Sequence, residues 1–416
     1  MTRRRTVLKA AAAAVTAGAA GCGRDDGALE VAVVWSGTEL ALFREVVRRY
    51  PAPVRVISAG DDIDALLRAR DRVGARPDVA ILSRPGLVAG YARDNWLKPL
   101  DPTLGASFHP QWTELLTVDG VLYGAWVKGA HKSLFWHLPS MLPNPPQTWP
   151  DLVSMVEDGA RGGGPAPLAI GAADGWVLTD WLENLLAGYD DGGVYERLAG
   201  GAAEWGSWQV RTAFTALARL WGVPGAFPGG PRRALLTQHE ESVIQVVGSR
   251  RARMLFEGDF VSAVAQRFQG DEAPRTFRFP AFAGRRPLVV GGDAAVVLRE
   301  SAGGHDLVRW LAGPDAFRPW LARGGFLSPN RHIPYDHYPA GLARELAGTI
   351  REPEGKLHYD LSDQLAGSLT GFDGLGTWKI LQDFFAAVTA PKPDVARAVD
   401  RAVTRLDAAT RRQAGR

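Results

Sequence analysis

The chain has 416 residues, of which 48 are Lys or Arg and 45 are Asp or Glu. Four of the basic residues lie within the first nine positions, so the rest of the chain is close to neutral. This balance gives no electrostatic case for binding nucleic acid or an anionic membrane surface. Because Cys22 is the only cysteine, an intramolecular disulfide and a thiolate zinc site are excluded. The length suffices for two domains of ordinary size.

The first 22 residues have the pattern of an export signal. A basic head precedes the apolar stretch Ala10 to Ala20, which is too short to span a bilayer. Ala19-Ala20-Gly21-Cys22 resembles a bacterial lipobox, although Ala19 replaces the usual leucine, and Arg4-Arg5 resembles a twin-arginine signal. We expect residues 1–22 to be a signal peptide whose Cys22 is lipidated, which would anchor the protein to the outer face of the cytoplasmic membrane. An ordinary cleaved signal with a stray cysteine is the alternative.

Apolar runs and helical repeats alternate between residues 30 and 82. The pattern predicts strands at Glu30–Trp35, Pro53–Ile57 and Pro77–Leu82, with helices at Glu39–Tyr50 and Leu66–Arg72 between them. Such alternation indicates an α/β fold with a parallel sheet that is covered on both faces. Ligands of these sheets lie beyond the carboxyl ends of the strands, so we expect Trp35–Glu39 and Ser83–Gly86 at one edge of a cleft.

The remainder of the chain is richer in helices and turns. Strands split by a turn at Asp119-Gly120 are predicted, and Thr148-Trp149-Pro150-Asp151 is typical of a helix start. Helices dominate the region that follows, with one strand predicted at Ala252–Phe256. Gly162–Pro165 lacks the lysine and the helix of a phosphate-binding loop, so no ATPase is expected within this chain.

Nine short sequence segments, taken together in their order along the chain, resemble the motifs of a known protein family. The segments are Val33–Glu39, Pro77–Gly86, Leu97–Asp101, Tyr123–Leu134, Thr148–Leu152, Gly175–Trp181, Gly291–Val296, Gly324–Asn330 and Trp378-Lys379. Together they resemble the extracellular solute-binding proteins of ATP-driven sugar importers, especially the α-glucoside-like branch. The resemblance implies an α/β, two-lobed periplasmic-binding-protein fold, with a sugar held between lobes that are joined by crossing hinge strands. Closure about such a hinge is a known switching mode.

The resemblance also implies how the chain is divided and what it does. Residues 29–132 and 289–335 would form the N-terminal lobe, and residues 133–288 and 336–416 the C-terminal lobe. The protein would be a monomeric receptor without enzymatic activity or cofactor. It would deliver a carbohydrate to the transmembrane subunits of an ABC permease, whose ATPase would be a separate subunit. The unusual segment Phe256–Phe260 leaves the particular sugar open.

A sugar has a rim of hydroxyl groups and flat faces of C–H bonds. Its receptor therefore needs polar side chains at the rim and aromatic rings against the faces. Burying a hydroxyl without a partner would cost about 1–3 kcal/mol. The ligand-binding candidates are Trp35, Trp176, Trp378 and Phe326 as ring surfaces, Glu39, Asp180, Asp259 and Asp293 as acceptors, and Lys128 as a donor.

Each candidate also has a purely structural alternative. The tryptophans could belong to the core, although 14 tryptophans are more than a core of this size needs. Glu39 could stabilise the first turn of its helix, and Lys128 could pair with an acid. Asp180 could cap a helix from Trp181 to Leu186.

Other classes of function remain open from the residues alone. A secreted glycosidase would need two carboxyl groups about 5 or 6.5–9.5 Å apart, a distance that the sequence does not fix. A receptor of the same fold for a polyol, peptide or glycerophosphodiester is the nearer competitor. A phosphorylated ligand would favour arginines in the cleft, with Arg84, Arg232 and Arg233 as candidates. The eight histidines are scattered, so no metal site is expected. A structural surface lipoprotein would show no ligand-induced stabilisation.

Overall fold

The computed structural model describes residues 27–189, 193–268, 270–353, 357–365, 369 and 376–414. The predicted signal peptide, lipobox and Cys22 lie outside these residues and stay predictions. Most described strands belong to two sheets. The strands are β1 (Leu29–Val33), β2 (Val54–Ser58), β3 (Val79–Leu82), β4 (Thr117–Val118), β5 (Val121–Leu122), β6 (Ala125–His131), β7 (Leu134–His137), β8 (Ala166–Ala169), β9 (Ala252–Phe256), β10 (Arg275–Arg278), β11 (Val289–Val297) and β12 (His358–Tyr359).

The first sheet has the strand order β12-β11-β3-β1-β2, and β6 also pairs with β11. β1 runs parallel to β2 and β3, whereas β11 runs antiparallel to β3 and β6. The predicted strand–helix alternation over residues 30–82 is confirmed, but the sheet is mixed and not parallel throughout. β3 is buried along its whole length because both of its faces are covered, which explains its unbroken apolar sequence.

The second sheet has the strand order β10-β7-β9-β8. β7 is antiparallel to both neighbours, and β8 is parallel to β9. β4 and β5 form a separate hairpin, whose turn residues Asp119 and Gly120 have φ values of 50° and 79°. Two successive positive φ values match the twist of a two-residue hairpin turn, so the predicted turn is confirmed.

The helices pack around the two sheets. They are α1 (Gly37–Val47), α2 (Ile63–Arg72), α3 (Pro85–Arg93), α4 (Pro110–Glu114), α5 (Trp149–Arg161), α6 (Trp176–Ala187), α7 (Val194–Ala199), α8 (Trp208–Trp221), α9 (Pro231–Ala234), α10 (His239–Val247), α11 (Val261–Phe268), α12 (Ala302–Leu311), α13 (Arg318–Leu321), α14 (Leu342–Arg351), α15 (Leu361–Gln364), α16 (Thr377–Val388) and α17 (Val395–Ala414). α5 begins with a capping box between Thr148 and Asp151, as its sequence predicts.

Two hydrophobic cores correspond to two lobes. The first lobe is built on the first sheet, with α1, α3, α12 and α13 packed against it, and the second lobe on the second sheet with α5, α6, α8, α16 and α17. The first core continues into α10 and α11 through Val243, Val261 and Val264. α11 contacts α1 and so joins the first lobe, whereas α10 packs on the second sheet against β7, β8 and β9.

The chain crosses between the sheets at the end of β6. β6 ends at His131 in the first sheet and β7 begins at Leu134 in the second, so two residues make the crossing, and β10 returns to β11. The predicted two-lobed fold with crossing strands is thus confirmed. The predicted lobe boundaries stay a prediction. Within residues 336–416, β12 pairs with β11 and α14 contacts β6, so both of these elements touch the first sheet.

Candidate functional site

A lysine and two carboxylates meet where β6 lies beside β11. Lys128 is opposite Asp293 in the strand register, and its Nζ is 2.5 Å from Glu39 Oε1 and 4.0 Å from Asp293 Oδ2. Trp35 Nε1 donates a hydrogen bond of 2.9 Å to the same Asp293 oxygen. Glu39 reaches the lysine from the first turn of α1. We call Lys128, Glu39, Asp293 and Trp35 the Lys128 cluster.

The charges of the Lys128 cluster are set by burial and by one another. Burial lowers the pKa of Lys128, but the carboxylates of Glu39 and Asp293 raise it above its ordinary value on balance. Burial raises the pKa of Asp293, although Lys128 and the bond from Trp35 work in the opposite direction. The side chain of Glu39 remains 29% exposed, so this cluster borders solvent at its Glu39 end.

Asp259 faces the Lys128 cluster from the second lobe. The backbone N–H of His131 donates to Asp259 Oδ1 at 2.7 Å, whereas Oδ2 is buried and has no hydrogen-bond partner among the described residues. Burial raises the pKa of Asp259 to about 7, and Lys128 lowers it only in part. A buried acceptor without a donor is costly unless a ligand or water supplies one.

A second lysine follows directly after β6. Lys132 Nζ forms ion pairs with Asp180 Oδ1 at 3.1 Å and with Asp360 Oδ2. Asp180 lies within α6, and Asp360 follows β12. The expectation that Asp180 caps a helix starting at Trp181 is wrong, because α6 begins more than one turn earlier at Trp176.

Further carboxylates surround Lys132. The Glu183 carboxylate accepts hydrogen bonds from the backbone N–H groups of Leu361 and Ser362. Burial raises the pKa of Asp180, Glu183 and Asp363 well above their ordinary values. We call Lys132, Asp180, Glu183, Asp360 and Asp363 the Lys132 cluster.

Three carboxylates of the Lys132 cluster lie close enough together to serve as ligands of a metal ion, and among the described residues they form the group that does so. The carboxylate oxygens of Asp180, Glu183 and Asp360 lie within 4.8 Å of one another. The ammonium group of Lys132 contacts two of these three carboxylates, so a cation that belongs to the chain already stands among them.

Three rings form a wall beside both lysines. The ring centroids are 5.9 Å apart for Trp176 and Phe260, 5.5 Å for Trp176 and His239, and 5.2 Å for His239 and Phe260. Lys132 Nζ lies 5.6 Å from the Trp176 ring, and Lys128 Nζ lies 5.7 Å from the Phe260 ring. Trp176, His239 and Phe260 are only partly buried. We call them the aromatic wall.

The structure brings part of the predicted site together. Glu39 and Asp293 both contact Lys128, Asp259 faces this group, and Lys128 lies against the aromatic wall to which Trp176 belongs. Asp180 lies in the Lys132 cluster, and Lys132 links it to the same wall because this lysine also contacts the Trp176 ring. Whether these residues bind a ligand stays a prediction.

The remaining candidates, Trp35, Phe326 and Trp378, are buried and pack against other side chains of the protein. Trp35 packs edge-on against Phe43 and Trp320 and is 3% exposed, which makes it a support for Asp293. Phe326 is fully buried and stacks on Phe317. Trp378 is buried in α16, with Arg84 5.7 Å from its ring.

Sequence reasoning missed Lys132, His239, Glu257, Phe260 and Asp360. Lys132 carried a usable signal, because it is the last residue of the predicted N-terminal lobe segment 29–132. Asp360 carried none, since its partner Lys132 is 228 positions away in the chain.

The lobes also touch at the rim of the site. Arg267 Nη1 donates to Thr38 Oγ1, and Gln266 Nε2 donates to the backbone carbonyl of Arg323 at 2.6 Å. Gly325, with a φ of 68°, approaches α11 so closely that a Cβ there would lie 2.7 Å from the backbone nitrogen of Ala263. α11 is therefore the element that brings the second lobe against the first. None of the helices in the described part of the chain has the length and hydrophobicity needed to cross a membrane.

Residues 61–316 match the family model described as bacterial extracellular solute-binding protein. The chain is similar to the osmoprotective compounds-binding protein GgtB of Synechocystis sp., with 26% identity over 80% of this chain and 82% of that protein. It is also similar to the alpha-glucosides-binding periplasmic protein AglE of Rhizobium meliloti, with 24% identity over 88% of this chain and 85% of that one.

Solved structures share the fold. A chitin oligosaccharide binding protein superposes with a TM-score of 0.74 at 18% identity, over 92% of this chain and all of the other. The solute-binding protein RafE in complex with raffinose superposes with a TM-score of 0.73 at 14% identity, again over 92% of this chain and all of the other. At these identities the likeness establishes the architecture alone.

Proposed function

Because the chain belongs to the bacterial extracellular solute-binding proteins, we propose that it captures an oligosaccharide or α-glucoside between its lobes and delivers it to an ABC permease. The name of the relative AglE supports an α-glucoside, and the fold is shared with a raffinose complex. The observation that carries the proposal is the position of the aromatic wall beside the Lys128 cluster and the buried Asp259 Oδ2, which has no partner among the described residues.

The chemistry of these groups suits a sugar. The ring faces of Trp176 and Phe260 can cover the C–H faces of a pyranose. Asp259 and Glu39 can accept hydrogen bonds from hydroxyl groups, and Lys128 can donate to them. A ligand hydroxyl would then satisfy the buried Asp259 oxygen, so part of the cost of burying this carboxylate would be recovered on binding.

Thermal unfolding of the protein lacking residues 1–22 tests the proposal. The screen covers mono-, di- and oligosaccharides, polyols and glycerophosphodiesters. A ligand that binds only the folded state adds about 2.7 kcal/mol of stability at one hundred times its dissociation constant. We expect a rise in the midpoint for an α-linked oligosaccharide that is lost in Trp176→Ala. Trp208→Ala is the control, since Trp208 is exposed and lies outside the aromatic wall. If no sugar raises the midpoint of unfolding, the proposal is overturned.

A receptor for a polyol or glycerophosphodiester is the second candidate, and the name of the relative GgtB favours an osmoprotective solute. The three arginines that a phosphate would favour have different surroundings. Arg84 is buried beside Trp378, Arg232 is exposed on α9, and Arg233 pairs with Glu241 at 2.5 Å. A thermal shift with a glycerophosphodiester and none with sugars would select this candidate.

The relatives GgtB and AglE are named as binding proteins, and we propose that this chain likewise has no enzymatic activity. The paired carboxylates of the Lys132 cluster are buried and already hold a lysine, which does not suit an attack on a glycosidic bond. Incubation with aryl α- and β-glycosides is expected to release no phenol above a buffer control. Release that survives repurification would revive the glycosidase alternative.

We further propose a monomer that is exported and lipid-anchored at Cys22 on the outer face of the cytoplasmic membrane. The lipobox and the basic head of residues 1–22 support this location. Cys22→Ala should move the protein from the membrane fraction to the medium. Replacing Arg4 and Arg5 by lysine should block export if the twin-arginine route is used and leave it unchanged on the general route. Light scattering of the purified protein checks the monomer.

A further inference from the structure

His239 is held rigidly at the start of α10 in the second lobe. Its backbone N–H donates to Asp174 Oδ2 at 2.6 Å. Gly171 lies so close that a Cβ there would be 2.8 Å from the His239 nitrogen. The imidazole ring packs against Trp176 and Phe260. Backbone and ring are therefore both fixed at the aromatic wall.

One ring nitrogen of His239 faces a buried carboxylate. Nδ1 lies 3.3 Å from Glu257 Oε1, and Glu257 is 2% exposed. Nδ1 of His239 and both carboxylate oxygens of Glu257 are buried and form no hydrogen bond among the described residues. The contact between the two groups is an ion pair by distance, and His239 is the one basic side chain of those residues within ion-pair distance of Glu257. A buried carboxylate is strongly destabilised without a countercharge, so this pair favours the imidazolium form of His239.

The backbone of Glu257 is also fixed. Its N–H donates to the carbonyl of Leu134 at 2.9 Å, and Trp136 Nε1 donates to its carbonyl at 3.3 Å. These bonds tie Glu257 to β7 and hold its carboxylate behind the ring of His239. The two nitrogens of an imidazole point in nearly opposite directions, so Nε2 points away from Glu257. The side chain of His239 keeps about 15% of its surface exposed.

We propose that His239 is a specificity-determining residue of the sugar site, with Nε2 donating a hydrogen bond to a hydroxyl of the ligand. Glu257 is its positioning residue, because its carboxylate fixes the proton on Nδ1. The inference rests on the proposed function, which supplies the ligand. His239 would contribute a charged hydrogen-bond donor from the second lobe, whose other polar group at the site, Asp259, is an acceptor.

The protonation of His239 then sets what Nε2 can do. With Nδ1 protonated beside the Glu257 carboxylate, the imidazolium also donates from Nε2, whereas a neutral ring that keeps its proton on Nδ1 can only accept at Nε2. Glu257 faces the ring from the end of β9, Asp174 from the segment before α6 and Glu39 from α1, and Glu240 is the neighbour on α10 itself. Burial lowers the pKa of His239, but the first three carboxylates raise it above 6.5 on balance.

Affinity for the sugar should therefore depend on pH in a defined direction. The charged donor is present below the raised pKa and is lost as the pH rises through it. A charge-assisted hydrogen bond is stronger than a neutral one, so the dissociation constant should rise by about fivefold to tenfold across that transition.

Calorimetric titration of the purified protein with a sugar identified in the thermal screen, from pH 5.5 to 9, tests the inference. We expect this rise in the wild type and none in His239→Gln, which keeps a neutral side chain of similar reach. Glu257→Gln should bind the sugar but move the transition to lower pH, because the countercharge is gone. Asp259 also titrates near the site, so Asp259→Asn is measured in parallel and must keep the His239-dependent rise.

Each outcome decides between the two proposals. A wild type that binds sugar with the same affinity at all pH values overturns the role of His239 and leaves the proposed function standing. If the dissociation constant of His239→Gln rises with pH as it does in the wild type, the role of His239 is likewise overturned. A protein that binds no sugar at any pH overturns both proposals. Nitrogen NMR of the imidazole in the ligand-free wild type is independent of the variants, and a pKa at or below 6.5 for His239 would overturn the proposed pairing with Glu257.

Discussion

Lys128 lies in the middle of β6 and Lys132 follows directly after its end, and each ammonium group joins two carboxylates beside an aromatic ring. Their surroundings differ in one respect that decides their roles. The partner Glu39 of Lys128 has a side chain that is 29% exposed, whereas the partners Asp180 and Asp360 of Lys132 are 3% and 1% exposed. The Lys128 cluster therefore borders solvent through Glu39, whereas both carboxylates that pair with Lys132 are buried.

The Lys128 cluster can exchange its hydrogen-bond partners for those of a ligand, whereas the Lys132 cluster cannot. At the Lys128 cluster, a ligand hydroxyl can replace water or share Glu39 and the lysine without breaking a buried pair. At the Lys132 cluster, a ligand would have to pull a lysine away from carboxylates in a medium of low dielectric, which is costly. Lys132 also joins α6 to the segment after β12 across the crossing of the sheets. We infer that Lys132 holds the lobes together and that Lys128 serves the ligand.

The largest expected effect is on stability. Lys132→Met should lower the free energy of unfolding by about 3–5 kcal/mol, because it leaves Asp180 and Asp360 buried without their countercharge. Lys128→Met should cost only about 1–2 kcal/mol, since Glu39 can turn to water and Asp293 keeps its hydrogen bond from Trp35. Urea unfolding of both variants measures the difference. Equal losses would remove the distinction between the two clusters.

The next effect is on affinity. Trp176→Ala should weaken binding of the sugar by about 2 kcal/mol, roughly thirtyfold, because a ring of the aromatic wall is removed. Its effect on stability should be small, as Trp176 is only partly buried. Trp181→Ala, further along α6, removes a fully buried ring and should instead cost about 3–5 kcal/mol of stability. Calorimetry measures the affinity and urea unfolding the stability of both variants, and we expect Trp176→Ala to lose mainly affinity and Trp181→Ala mainly stability.

Asp259 provides a pH test on the Lys128 side. Burial raises its pKa to about 7, so between its ordinary 3.8 and 7 the folded state holds a proton that the unfolded state has released. Stability should therefore fall as the pH rises through this window, by at most about 1.4 kcal/mol per pH unit from this group. Urea unfolding at several pH values should give a flatter slope for Asp259→Asn. The exposed Asp158→Asn on α5 is the control and should keep the wild-type slope.

Local patterns predicted the elements well, because strands and helices are set by neighbouring residues. β1 and β3 were evident as apolar runs, and α5 as a capping signal at Thr148. The pairing of β11 with both β3 and β6 was not evident, since it depends on contacts between distant parts of the chain.

The candidate site was predictable to a smaller extent. Glu39 stands just beyond the predicted strand Glu30–Trp35, where the fold gathers ligand groups, and the structure brings both Glu39 and Asp293 to Lys128. Phe326 could not be assigned, because a ring that follows two glycines in a break between helices fits a core as well as a cleft wall. Its packing against Phe317 decides for the core. His239 has no local signal either, since its partner Glu257 comes from another element.

The smallest expected effect is the sharpest test of the comparison. Glu39→Gln keeps the shape of the side chain but removes its charge, so Lys128 loses its nearest countercharge at the exposed end of the cluster. Because Glu39 borders solvent, stability should change by no more than about 0.5 kcal/mol. Affinity for the sugar should fall by about 1 kcal/mol, roughly fivefold, if the carboxylate accepts from a hydroxyl.

Glu45→Gln is the matched control for this prediction. Glu45 lies on the same helix, has a side chain that is 40% exposed, and pairs with Arg323 at 2.9 Å, so the same change of charge is made away from Lys128. Calorimetry should detect weaker binding in Glu39→Gln alone. If both variants bind like the wild type, the exposure of the Lys128 cluster has no functional meaning. Lys128 would then be a structural lysine like Lys132, and the ligand would have to be sought on the aromatic wall alone.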